Sequence, residues 1–284
     1  MIGIFDSGSG GLTILKTLRV RMPDQDFVYL GDHRHAPYGH RSNDDIVELT
    51  RAGVDHLMGM GCKLVILACN TAAAVALRTL QQDWLEQAYP GRRILGVLVP
   101  MVEAVTGIPW HQSEPSDDSR RDRRLITLFA TRKTVDSGAF AEELSKRAPS
   151  LTLISKACPG LVDAIEGGAG PVPLTGLVSG YVEETLELGG APDAVILGCT
   201  HFPLVENAFT AALPAETRIY SQPIVVSKAL DYYLQRHPSY KTGGSGQLIC
   251  LSTDPTIAPS LGDISDVRAL FLSEDLANFQ KAAY

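Results

Sequence analysis

Short apolar runs alternate with longer amphipathic or alanine-rich stretches along this chain, and that rhythm restricts its fold more than any other feature. Residues 2–5, 27–30, 64–68 and 94–97 are apolar runs of strand length. Between them the spacing predicts helices over 10–20, 43–60 and 71–88, with a polar loop at 31–42. Strand–helix alternation of this kind calls for parallel sheets with helices on both faces. A polar segment at 110–124 breaks the rhythm and reads as a solvated loop, because its acids and bases largely cancel. The pattern then restarts. Strands are predicted at 125–129, 151–155 and 194–197, with helices at 137–147, 161–166 and 173–188. A further helix, a short strand near Ile219 and a helix at 225–236 follow. A Gly/Ser/Pro-rich linker at 236–247 leads to a last strand at 248–251 and a last helix at 263–272.

At 284 residues the chain has room for about two domains. Its net charge of −7 does not suit a general binder of nucleic acid or anionic membrane. No apolar run approaches the roughly 18 residues that a membrane helix needs. The opening Met1-Ile2-Gly3-Ile4-Phe5-Asp6 carries no basic region of the secretory type. The five cysteines are odd in number, widely spaced and without a CxxC pair, which argues against a disulfide framework or a zinc knuckle. The expected compartment is the reducing cytoplasm.

One internal echo carries the chemistry. Val65-Ile66-Leu67-Ala68-Cys69-Asn70-Thr71 is matched by Val195-Ile196-Leu197-Gly198-Cys199-Thr200-His201. Each is an apolar strand, a small residue, a cysteine, then small polar groups opening a helix. Ligands in open α/β sheets sit beyond the carboxyl ends of strands. Each thiol should also feel a helix N-terminus, whose partial positive charge favours a thiolate. Two thiols facing one carbon could remove a proton from one side and return one to the other. From the echo alone, structural burial and a redox or metal pair stand beside that reading.

Neighbouring motifs favour catalysis. Asp6-Ser7-Gly8-Ser9-Gly10-Gly11 follows the first strand, and its glycines let backbone N–H groups approach an anion. It fits neither nucleotide fingerprint, since Thr13 takes the third glycine's place and no Gly-Lys-Ser/Thr exists. Asp6 could orient or accept a proton, or serve as an N-cap. His201 could tune Cys199, or be structural. Pro37-Tyr38-Gly39 reads as a turn in the loop after the second strand.

Taken in order, these residues resemble the glutamate racemase family, of the cofactor-independent aspartate/glutamate racemase superfamily. The resemblance covers most of the chain. Its marks are Gly3-Ile4-Phe5-Asp6-Ser7-Gly8-Ser9-Gly10-Gly11-Leu12, Tyr29-Leu30-Gly31-Asp32, Ala36-Pro37-Tyr38-Gly39, Ala68-Cys69-Asn70-Thr71-Ala72, and Leu197-Gly198-Cys199-Thr200-His201-Phe202-Pro203-Leu204. It implies an α/β fold of two pseudo-symmetric, doubly wound domains with mainly parallel sheets and the active site in the cleft between them. The first domain is expected at 1–98 plus 208–284, the second at 99–207. The implied reaction interconverts L- and D-glutamate and supplies D-glutamate for peptidoglycan. No cofactor and no metal are implied. The implied partner is glutamate itself, with neither nucleic acid nor membrane, and a homodimer is compatible.

By the same resemblance, Cys69 takes the α-proton of the D-enantiomer and Cys199 that of the L-enantiomer. Asp6 supports Cys69 and His201 supports Cys199. Asp6, Ser7, Tyr38, Gly39, Asn70, Thr71, Thr200 and His201 match substrate-binding positions. Three departures stand out. Ala130-Thr131-Arg132-Lys133-Thr134 takes the place of Gly-Thr-x-x-Thr, keeping the second threonine. His40-Arg41 replaces Pro-Lys, and Tyr220-Ser221-Gln222-Pro223 differs from an Asp-Ser type. Cys62, Cys158 and Cys250 read as core, and His33, His35 and His40 as exposed loop histidines. Three readings compete with a glutamate racemase: a racemase for aspartate or another amino acid, a non-enzymatic binding or regulatory protein on this scaffold, and a thiol redox or zinc protein.

Overall fold

A computed structural model describes residues 1–109, 111, 123–241 and 244–254, and the backbone of Phe279–Lys281. The parts of the expected loop at 110 and 112–122, and the expected helix at 263–272, lie outside the described residues.

Two parallel sheets form, as the strand–helix rhythm requires. The first is built from β1 (Ile2–Asp6), β2 (Phe27–Gly31), β3 (Leu64–Leu67), β4 (Arg93–Gly96), β9 (Leu248–Ser252) and β10 (Phe279–Lys281). Their spatial order is β10-β9-β2-β1-β3-β4. The second sheet runs β6-β5-β7-β8, with β5 at Leu125–Ala130, β6 at Thr152–Ala157, β7 at Ala194–Gly198 and β8 at Arg218–Tyr220. β1, β2, β3 and β7 are buried along their whole length. That is why each reads as a continuous apolar run rather than an alternating one. All the described strand pairs are parallel.

The helices follow the sequence closely at their starts. α1 spans Leu12–Arg21 and α2 spans Asn43–Gly59, which Ser42 caps by accepting a hydrogen bond from the Asp45 N–H at 3.1 Å. α3 (Asn70–Thr79) is shorter than expected. A π turn at Leu80–Trp84 interrupts it before α4 (Leu85–Ala88). α5 (Leu98–Thr106) buries Leu98, Met101, Val102 and Val105, one face at helical spacing; Pro100 sits in its first turn, where proline is tolerated. The helix expected at 137–147 forms as α7 (Ala139–Arg147), and a short helix that the spacing did not mark, α6 (Arg132–Asp136), precedes it across Gly138 with φ +67°. α8 (Leu161–Glu166), α9 (Pro171–Gly189), α10 (Glu206–Ala212) and α11 (Gln222–Arg236) complete the order.

β8 pairs with β7, so residues 218–220 belong to the second sheet, although the expected division gave everything after 207 to the first. α11 then carries the chain back. It packs on α1 and is tied there by an Arg21–Asp231 ion pair at 3.1 Å. Among the described residues no helix is long and apolar enough to cross a membrane. Among the same residues no group of three or more His, Cys, Asp or Glu is placed to hold a metal ion.

Candidate active site

The carboxyl ends of β1, β2, β3, β5 and β7 supply the site. Asp6 ends β1 and is fully buried. Its Oδ1 accepts the Gly8 N–H at 3.0 Å. The glycine loop can curl this tightly because a Cβ at Gly11 would come within 2.8 Å of the Asp6 Cβ. Tyr29 braces the same loop by donating its hydroxyl to the Gly8 carbonyl at 2.6 Å.

Cys69 follows β3 and caps α3, its Sγ accepting the Ala72 N–H at 3.5 Å. The expected thiolate-favouring helix end is present, but burial outweighs it. Desolvation, with the Asp6 charge beside it, pushes the Cys69 thiol up to about 12, against hydrogen bonds from Ser7 and the Ala72 N–H. Cys199 follows β7 and is equally buried, yet no long helix starts behind it; a 3-10 turn, Phe202–Val205, comes first. Its electrostatic partner is a side chain instead. His201 Nδ1 lies 3.9 Å from Cys199 Sγ, and His201 Nε2 is 2.9 Å from Glu166 Oε1.

This Cys199–His201–Glu166 chain has a clear charge logic. Burial alone would discharge the His201 ring. The hydrogen bonds to Cys199 and Glu166, with their charges, prevail and hold the imidazolium well above the ordinary value of 6.5. Burial likewise works against the Glu166 carboxylate, but the His201 bond and charge bring it below its ordinary 4.5. Asp6 is raised by burial, against the charge of His201 and the N–H groups of Gly8 and Gly11. A protonated His201 can give a proton to Cys199 Sγ, or hold a sulfur anion by charge.

The two half-sites touch. Thr13 donates its hydroxyl to the Thr200 carbonyl at 3.1 Å, and Thr200 Oγ1 lies 3.5 Å from Asp6 Oδ2. Gly10 permits this approach, because a Cβ there would collide with Thr200 Oγ1 and lie 2.6 Å from His201 Cε1. A second bridge is made of hydroxyls. Thr71 Oγ1 is 3.0 Å from Thr131 Oγ1 and 3.4 Å from Thr134 Oγ1, and Thr131 and Thr134 are 3.0 Å apart. Both threonines of the altered Ala130–Thr134 segment thus meet Thr71 from the opposite sheet, with Thr131 capping α6.

The remaining expected residues are placed as follows. Asn70 forms a reciprocal amide pair with Gln222, at 2.9 and 2.7 Å, both side chains buried. Tyr38 is buried with its hydroxyl donated to Asp32 Oδ2 at 2.7 Å, and Gly39 is half-buried beside it. Cys62, Cys158 and Cys250 are buried. The histidine expectation needs correction. His40 is exposed at 72%, but His35 bonds Asp32 at 2.8 Å and His33 is buried between two serines. A polar loop folds inward here because its polar groups find partners at the strand ends. Glu166 and Gln222 were not singled out from sequence as site residues. Glu166 sits in no motif and Gln222 in a segment marked only as a departure from the family pattern, and their partners are 35 and 152 residues away.

Two buried thiols stand at matched strand ends of a parallel α/β scaffold, one beside a carboxylate and the other beside an imidazole, groups able to exchange protons with them. No family model matches the sequence. The chain is 46% identical over 254 residues to the glutamate racemase of Paracoccus denitrificans (strain Pd 1222), covering 89% of this chain and 92% of that one. It is 43% identical over 262 residues to the glutamate racemase of Caulobacter sp. (strain K31), covering 89% and 91%. Among solved structures it resembles glutamate racemase from Francisella tularensis subsp. tularensis SCHU S4 in complex with D-glutamate, with a TM-score of 0.80, 26% identity, and coverage of 99% and 97%. The chain belongs to the glutamate racemase family.

Proposed function

We propose that this chain interconverts L- and D-glutamate by a two-base mechanism in which Cys69 and Cys199 stand on opposite faces of Cα. In the D-to-L direction the Cys69 thiolate takes the α-proton and becomes a thiol while the Cys199 thiol gives its proton to the opposite face and becomes a thiolate; the L-to-D direction starts from the Cys199 thiolate and the Cys69 thiol and runs the same transfers in reverse. The observation that carries this reading is the pairing of each buried thiol with a distinct partner: Asp6 and Ser7 at Cys69, His201 and Glu166 at Cys199.

The α-proton of an amino acid is far less acidic than a thiol, so the site must stabilise charge developing on the substrate. Excluding water strengthens every dipole in the cleft. The glycine-loop N–H groups, Ser7, Asn70 and Thr200 surround the position of the α-carboxylate and amine. The Tyr38–Gly39 backbone and Thr71, with Thr131 and Thr134, supply donors for the side-chain carboxylate. A longer or shorter substrate would leave one donor set unfilled, which favours glutamate over aspartate. Family membership supports D-glutamate supply for peptidoglycan, made in the cytoplasm. We divide the chain by sheet: the first domain is 1–98 plus the segment from Ser221 onward, and the second is 99–220.

The test is incubation of reduced, dialysed protein with L-glutamate in D₂O, with chelator and without pyridoxal phosphate. D-glutamate carrying α-deuterium upholds the proposal. Inversion of aspartate alone transfers it to another substrate, and silence with both, in folded protein with free thiols, overturns it.

A further inference from the structure

β9 comes from the far end of the described chain, yet its carboxyl end lies at the site. Parallel pairing with β2 sets Ser252 beside Gly31, and the Thr253 N–H donates to the Gly31 carbonyl at 3.2 Å. From there two chains of hydrogen bonds run inward. Ser252 Oγ is 2.8 Å from His33 Nδ1, and His33 Nε2 is 2.9 Å from Ser9 Oγ. Thr253 Oγ1 donates to Asp32 Oδ1 at 2.8 Å and accepts the Arg34 N–H at 3.0 Å, while Asp32 Oδ2 accepts the Tyr38 hydroxyl. Ser9, Asp32, His33, Ser252 and Thr253 are all buried.

The two chains end on different loops. The first ends on the glycine loop, which carries Ser7 against Cys69 and Gly8 against Asp6. The second ends on the loop of Tyr38 and Gly39. We propose that Ser252 and Thr253 are positioning residues for the two loops: Ser252 acts through His33 and Ser9 on the Cys69 half-site, and Thr253 acts through Asp32 and Tyr38 on the loop that holds the substrate's side-chain carboxylate. The proposal rests on the two-thiol reading for its kinetic consequences, and its geometry stands apart from it. A neutral imidazole offers one donor and one acceptor, which suits two hydroxyls that can each play either part. The Ser252 hydroxyl also accepts the Asp254 N–H at 3.1 Å, a local strand-end bond that reaches neither loop.

The experiment compares Ser252→Ala and Thr253→Val in the full chain. Ser252→Ala removes the bonds to His33 and from the Asp254 N–H, and Thr253→Val those to Asp32 and from the Arg34 N–H; in each, the one bond on the path to a loop is worth a change of about three- to tenfold. Ser252→Ala is expected to lower kcat by that factor with KM for glutamate nearly unchanged. Its primary deuterium isotope effect should rise with α-deuterated D-glutamate and fall with the L-enantiomer, because only the Cys69 step is slowed. Thr253→Val is expected to raise KM by a similar factor and leave the isotope effects alone. Wild-type kinetics in both variants, with only a lower Tm, overturn the proposal. Alkylation of Cys69 by iodoacetamide, followed by mass spectrometry, needs no turnover and separates the two readings. If the wild-type chain does not racemise glutamate, the activity reading fails by itself. Faster labelling of Cys69 in Ser252→Ala, with Cys62 unchanged, then upholds the loop support, and equal labelling overturns it.

Discussion

Replacing Glu166 by Gln tests the charge chain behind Cys199. The substitution keeps the size of the side chain and a hydrogen-bonding group near His201, and removes only the charge. The bond it alters is charge-assisted, 2.9 Å long, and one partner is fully buried. Such bonds contribute about 1.5–3 kcal/mol. Glu166 is 32% exposed, so screening reduces this to about 1.4 kcal/mol, which limits the loss of rate to about tenfold. The sign follows from which form the carboxylate favours. Glu166 stabilises the imidazolium, so the His201 value falls in the variant and the alkaline limb of the kcat profile moves to lower pH. The same linkage governs stability. The raised value of His201 contributes stability that is complete below its ordinary 6.5 and is lost as pH rises through the folded value. The lowered value of Glu166 contributes stability present above its ordinary 4.5 and lost as pH falls through the folded value. Glu166→Gln should therefore be less stable than the parent, with the difference largest between about pH 4.5 and 6.5, and shrinking as pH rises through the folded value of His201 or falls through that of Glu166.

The assay has an internal control. Enantiomers have equal free energies, so kcat/KM must fall equally in both directions whichever thiol is impaired. The primary isotope effect has no such constraint. Slowing the Cys199 step should raise it with α-deuterated L-glutamate and lower it with the D-enantiomer, the reverse of the Ser252→Ala pattern. An unshifted pH limb, or equal isotope effects in both directions, would refute the assignment of Glu166 and His201 to Cys199.

Cys69→Ser and Cys199→Ser should each lower racemisation by about 10³-fold, the usual scale of one lost general base, while circular dichroism and Tm stay near the parent values. Gly10→Ala forces a Cβ against Thr200 and His201 and should cost about 1–3 kcal/mol of stability, read as a lower denaturant midpoint, together with activity. Gln222→Leu leaves the buried Asn70 amide without its partner and should cost about 1–3 kcal/mol by the same measurement, with a raised KM. An unchanged midpoint would mean that the amide pair does not hold α11 against α3.

By itself, the sequence determined the strand–helix order, the parallel sheets and the two matched strand-end thiols. These are local consequences of short apolar runs, of turn residues and of an echo that any reader of the chain can align. Asp6, Ser7, Asn70 and Thr200 could be proposed from sequence for the same reason, since each neighbours a motif on its own strand end. Tertiary structure decided what those residues face. The transfer of β8 to the second sheet is a pairing choice, which three residues cannot announce. His33 looked like an exposed loop residue because its loop is polar, and it is buried because Ser9 and Ser252 satisfy both ring nitrogens. Helix ends shifted where glycine or a π turn overrode the apolar period. The protonation of the site was also decided in three dimensions. A helix N-terminus favours a thiolate at Cys69, but burial and the Asp6 charge overrule it, because desolvation depends on everything packed around an atom and not on its neighbours in the chain.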